Sequence, residues 1–183
     1  DIILVWGHPY EHILFDFPGE KPEVNVRKPD GSIVELSPKA TTVQGVKAYQ
    51  VSYTVDQMGD HIVSVQLDTE EHGLTDYTKA VIHSGMEVWK GWDAQVGQKS
   101  EIIPYMRPYG MEEGFVFSGK ALYNNESMSN ASVEVEKYHT KEKGEEIVKS
   151  AEEKFSYDPP MVFTRVTKTN ENGEFMYTLD ESG

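Results

Sequence analysis

The feature that most constrains this chain is an alternation of period two. In "YQVSYTV", Tyr49, Val51, Tyr53 and Val55 are separated by Gln50, Ser52 and Thr54, the pattern of a strand with one buried face. In "HIVSVQL", Val63, Val65 and Leu67 share a face, and in "DYTKAVIHS", Tyr77, Lys79, Val81 and His83 do. "PEVNVRKPDGSIVEL" predicts two short strands about a Pro29-Asp30-Gly31 turn, and Met58-Gly59-Asp60 predicts another turn. Short strands recurring roughly every 10–15 residues, with no convincing helical stretch among them, predict a β-sandwich.

The alternation stops in "MEVWKGWDAQVGQ", a connector anchored by Trp89 and Trp92, and then restarts. "EIIPY", "GFVFSGKALY", "ASVEVEKYH", "MVFTRVTKT" and "GEFMYTL" are strand-like, and Asn170-Glu171-Asn172-Gly173 turns the last hairpin. The expected fold is therefore all-β, with two tandem immunoglobulin-like β-sandwich units. The first covers residues 1–90, a connector covers 91–100, and the second covers 101–183. Trp89, Trp92, Tyr105 and Tyr109 are expected to pack the boundary. The charged insert "TKEKGEEIVKSAEEKFSYDPP" is expected to be mostly loop with a short exposed helix. The chain opens inside a strand and "TLDESG" closes without a further one, so sequence on both sides is expected.

Composition narrows the chemistry. With 31 acidic and 17 basic residues, the formal charge of −14 repels phosphate backbones, so nucleic acid is a poor partner. The same charge favours cations. There are no cysteines, which removes disulfides, thiolate metal sites and a cysteine nucleophile. No apolar run approaches the roughly 20 residues of a membrane helix. Two N-x-S triplets, at Asn125 and Asn130, fit an exported protein without requiring one. There is no nucleophile elbow, phosphate loop, H-E-x-x-H helix or calcium-loop spacing, and no enzyme is expected.

Imidazole and carboxylate are what remain for binding chemistry. "GHPYEH" puts His8, Glu11 and His12 into six residues at the mouth of a strand. His8 and His12 are four apart, but Pro9 opposes a helix there, so they would have to converge on a loop. Asp68-Thr69-Glu70-Glu71-His72 places carboxylates beside an imidazole, and also reads as an acidic solvated turn. His83 closes a strand and also fits a packed rim histidine; His61 and His139 read as exposed edge residues. The candidate metal ligands are His8, Glu11, His12, His72 and His83, with His8 expected to share a pocket with the 70–72 loop or with His83. Ni²⁺ and Co²⁺ suit imidazole with carboxylate or water.

"GHPYEHILFDFP", "RKPDGSIVEL" and "DYTKAVIHSG" have counterparts in a known family, as does the run from Gly91 to Gly119 with its "EIIP" and "RPYG" elements. With these segments and "TKTNENGEFMYTL", nearly the whole chain resembles the NikK-like exported accessory proteins of nickel and cobalt uptake systems. The second unit is also similar to carboxypeptidase-regulatory-like sandwiches. The resemblance implies an extracytoplasmic protein, periplasmic or at the cell surface and tethered to the membrane. Its partner would be an energy-coupling-factor transporter, its ion Ni²⁺ or Co²⁺, and its role to capture or hand over that ion. The alternative is an extracellular structural or adhesive module that self-associates by strand addition at an open sheet edge.

Overall fold

Val24, Val26, Val63 and Val65 build the first core, and alternation is what brings them together. They come from neighbouring strands, β4 (Glu23–Arg27) and β8 (Gly59–Thr69), which pair antiparallel with Val24 opposite Val65 and Val26 opposite Val63. In the computed structural model, which describes residues 1–8, 11–69, 73–136, 138–154 and 164–179, these strands belong to a sheet of order β5-β4-β8-β9. Its outer members are β5 (Ile33–Leu36) and β9 (Leu74–Ser84). A three-stranded sheet faces it, with β1 (Ile2–Leu4) and β6 (Lys39–Val43) on either side of β7 (Val46–Val51). Val51, Ile2 and Leu4 close the core from that side. A small hairpin of β2 (Trp6–His8) and β3 (Ile13–Phe15) extends the first strand, and Trp6 packs on Phe17, Tyr49 and Leu67.

The later strands pair only among themselves within the described residues. β11 (Val116–Tyr123) is central: it pairs with β10 (Ser100–Pro104), β12 (Glu126–Ser127) and β15 (Glu174–Thr178). β13 (Ser132–Glu136) pairs with β14 (Thr164–Lys168). Ala121, Leu122, Val133 and Phe175 are buried here. The fold is all-β with a sandwich at its centre, as the alternation predicts.

Three local expectations are corrected. The strand in "YQVSYTV" ends at Val51. Gly59 and Asp60 belong to β8 rather than to a turn before it. The helix expected in the charged insert is long rather than short, fourteen residues, α1 (Lys141–Lys154). Thr140 caps it, its hydroxyl accepting from the Lys143 amide at 3.3 Å, a standard way to satisfy a free first-turn donor.

Candidate functional site

Side chains of β8 and β9 project alternately to the two sides of their sheet. Val63, Val65 and Leu67 face the core, so Asp60, Ile62 and Ser64 face outward, beside His83, Val81 and Lys79 of β9. An outward face would ordinarily meet water. Here Asp60 and Ile62 are fully buried, because the connector and the first C-terminal strand cover them. The Asp60 amide donates to the Lys90 carbonyl at 2.9 Å. Gly91 (φ 111°) passes so near that a Cβ there would lie 2.8 Å from the Asp60 carbonyl oxygen, so the crossing requires glycine.

One polar cluster fastens this cover. Lys79 Nζ donates to Glu101 Oε1 at 2.8 Å and to the carbonyls of Ile102 (3.1 Å) and Ala94 (3.3 Å). Glu101, its side chain 1% exposed, also accepts from the amides of Val96 and Gly97. Both charges are therefore fully engaged, as a buried ion pair must be.

A second cluster is chemically less closed. His83 Nδ1 and the Tyr109 hydroxyl both donate to Asp60 Oδ1, at 2.8 and 2.7 Å, and lie 3.1 Å from each other. A carboxylate only accepts, so His83 Nδ1 carries a proton, and in that tautomer the lone pair is on Nε2. Asp60 Oδ2 is buried with no partner among the described residues. Burial, then the hydrogen bond to Asp60, pushes the Tyr109 hydroxyl up to about 12, with Arg107 acting in the opposite direction. The Arg107 guanidinium lies 4.5 Å from the Trp89 ring centroid and 5.7 Å from that of Tyr109. Below this corner runs a cleft of about 480 Å³ lined by Tyr77, Val81, Trp92, Ile102, Tyr109 and Phe117. Of the aromatics expected at the boundary, Trp92 and Tyr109 line that cleft and Trp89 backs Arg107. Tyr105 instead donates to Glu174 within the C-terminal strands.

The candidate ligands fall in different places. His8 Nδ1 and Glu11 Oε2 lie 2.8 Å apart at the mouth of the β2–β3 hairpin. His12 turns away: its Nε2 donates to the His139 carbonyl at 2.8 Å, and its ring packs on Tyr138 with centroids 5.1 Å apart. His72, with Glu70 and Glu71, lies outside the described residues. His83 sits with Asp60 at one end of the β8–β9 hairpin. Trp6, next to the His8 strand end, packs on Leu67, seven residues along β8 or about 24 Å from that pair. His8 and His83 therefore belong to separate places. No group of three His, Asp or Glu side chains suited to a metal occurs among the described residues. His61, expected to be exposed, is fully buried; it accepts from the Tyr53 hydroxyl and donates to the Gln57 carbonyl.

Sequence reasoning singled out His83 but missed Asp60 and Arg107. A signal for Asp60 existed: once Thr69 pairs with Leu74, counting back along both strands sets Asp60 opposite His83. Arg107 had no comparable signal, because its neighbours come from the connector and the following loop.

Fold and site together define an all-β sandwich protein with a polar seam, to which His83 belongs, and one exposed His8–Glu11 pair. The chain belongs to the family described as domain of unknown function (DUF4198), whose model matches residues 1–183. Neither the curated proteins nor the solved structures gave a match.

Proposed function

We propose that this chain is a non-catalytic, extracytoplasmic binding protein of two β-sandwich units. It captures a divalent transition metal, Ni²⁺ or Co²⁺, and hands it to a membrane transporter of the energy-coupling-factor type. The observation that carries this reading is the convergence of His8 Nδ1 and Glu11 Oε2 at an exposed hairpin mouth, the histidine side chain 52% accessible. One imidazole and one carboxylate are a suitable donor set for these ions. Closed structural sites use four protein ligands, whereas open positions let an ion be passed on. The charge of −14 raises the local concentration of cations. Location and tether are carried by the family resemblance; among the described residues no helix is long and apolar enough to cross a membrane.

Calorimetric melting with Ni²⁺, Co²⁺, Zn²⁺ and Ca²⁺ tests the reading. An ion at 100 times its Kd stabilises the fold by about 2.7 kcal/mol, which raises the Tm by several degrees, at roughly 2–4 °C per kcal/mol. The rise is expected with Ni²⁺ and Co²⁺ and is lost in His8→Ala and Glu11→Gln. Equal shifts in the variants would refute the assignment.

Assembly by strand addition is the second reading, favoured by a different observation. The eleven-residue β9 is an edge strand. Beside it a mainly apolar groove opens onto β1 and the residue after it, where Ile3 and Val5 are exposed. Long open edges of this kind pair with other strands. Light scattering showing a concentration-dependent dimer would support it; a monomer at high concentration would count against it. The open edge expected at the close of the second unit falls on its outer strands: among the described residues β10 and β15 each pair only with β11.

A further inference from the structure

Arg107 lies at the end of the covered β9 face, against aromatic rings rather than a carboxylate. No carboxylate of the described residues pairs with it. Its guanidinium instead lies over the ring of Trp89, itself 53% exposed, and near that of Tyr109. Stacking uses the faces of a guanidinium. Its N–H donors lie in the plane, in a fork that matches a carboxylate; one is directed at the Tyr109 hydroxyl, and the others are left for a ligand.

The Tyr109 hydroxyl links this fork to His83. It lies 3.1 Å from His83 Nδ1, and Arg107 acts on the same oxygen. His83 is 28% exposed, and no described residue engages its Nε2. A histidine whose Nδ1–H is held by a buried carboxylate is fixed in orientation with Nε2 left for a ligand, the usual arrangement behind a metal-ligating imidazole. Asp60 holds the ring through Oδ1, and its Oδ2 has no partner among the described residues.

A bare ion would find one imidazole here, and a cation next to it. A simple carboxylate would use Arg107 but leave Nε2 idle. We propose that this corner binds a divalent transition metal already chelated by a small polycarboxylate. An uncoordinated carboxylate oxygen pair of the chelator docks on Arg107, and His83 Nε2 fills an open coordination position of the ion. Trp89 walls one side. The chelator supplies the donors that the protein lacks, and each partner answers one protein group. The inference rests on the metal-capture reading but concerns a separate site from His8 and Glu11.

The test is isothermal titration of the full chain carrying His8→Ala and Glu11→Gln, so that the hairpin mouth is silent. Ni²⁺, citrate and the equimolar Ni²⁺–citrate complex are titrated in turn. The complex is expected to bind saturably and at least tenfold more tightly than either component. Arg107→Gln and, separately, His83→Gln should each weaken it tenfold or more. Arg107→Lys should fail to restore it, since a point charge lacks the fork. The visible absorption of the bound Ni²⁺ should shift in the chain with His83 and stay that of free Ni²⁺–citrate in His83→Gln. Citrate binding as tightly as its complex would overturn the proposal, as would no binding of the complex. Undiminished binding by the folded Arg107→Gln and His83→Gln chains would do so too. Loss of Ni²⁺-dependent stabilisation at His8 and Glu11, with this event intact, would separate the two readings.

Discussion

Tyr109 carries the most testable single-residue chemistry. Its hydroxyl is one of two donors to a fully buried carboxylate. Tyr109→Phe leaves Asp60 with only the His83 donor, and under-satisfying a buried group costs about 1–3 kcal/mol. Urea unfolding should show that loss. The hydroxyl also sets an alkaline limit. Its value of about 12 in the folded chain exceeds the ordinary 10.0, because burial and Asp60 favour the neutral form. The folded state thus holds this proton more tightly than the unfolded one. Its contribution is intact below pH 10 and is lost as pH rises through about 12. In Tyr109→Phe that part of the alkaline decline should disappear. Asp30 behaves in the opposite sense. Hydrogen bonds from the Ser32 hydroxyl, then the Ser32 amide and Gln57, hold its carboxyl at about 2. Its contribution is present above the ordinary 3.8 and fades as pH falls towards 2. Ser32→Ala should raise that value, which an NMR titration of Asp30 would read directly.

Between elements, the Lys79–Glu101 pair joins β9 to β10. Removing one partner strands the other charge in a buried place, at a cost of about 3–5 kcal/mol. Lys79→Met and Glu101→Leu should each destabilise by that order. The double variant should lose much less than their sum, because no charge is left unpaired. A strictly additive cycle would mean that the pair does not hold the strands together. At this scale much was legible in the sequence. The alternation placed Tyr77, Lys79, Val81 and His83 on one side of β9, and they do share it. It could not show that this side is covered. The groups that cover it, Glu101 and Tyr109, lie 22 and 26 residues from their β9 partners, and no local period reports such distant contacts. His61 escaped for a related reason: a histidine at a strand start looks exposed until Tyr53, across the strand connection, is seen to satisfy it. The His8–Glu11 pair was visible because both members fall within a few residues.

Over the whole molecule, surface charge and open sheet edges decide how the protein meets partners. A formal charge of −14 on 183 residues attracts divalent cations over about 8–10 Å at ordinary ionic strength. Weak capture at the hairpin mouth should therefore soften as salt is raised, whereas docking of a chelate on the single Arg107 fork should respond less. The same charge opposes self-association, so dimers formed along β9 or β1 should appear more readily at high salt. The central claim is that the chain binds a divalent transition metal through His8 and Glu11. Equilibrium titration of Ni²⁺ into the full chain, in non-chelating buffer near neutral pH, tests it most directly. Saturable binding at one ion per chain, weakened at least tenfold by either His8→Ala or Glu11→Gln and unchanged by His12→Ala, is the predicted result. Absence of saturable binding, or binding that neither substitution at the hairpin mouth weakens, would contradict it.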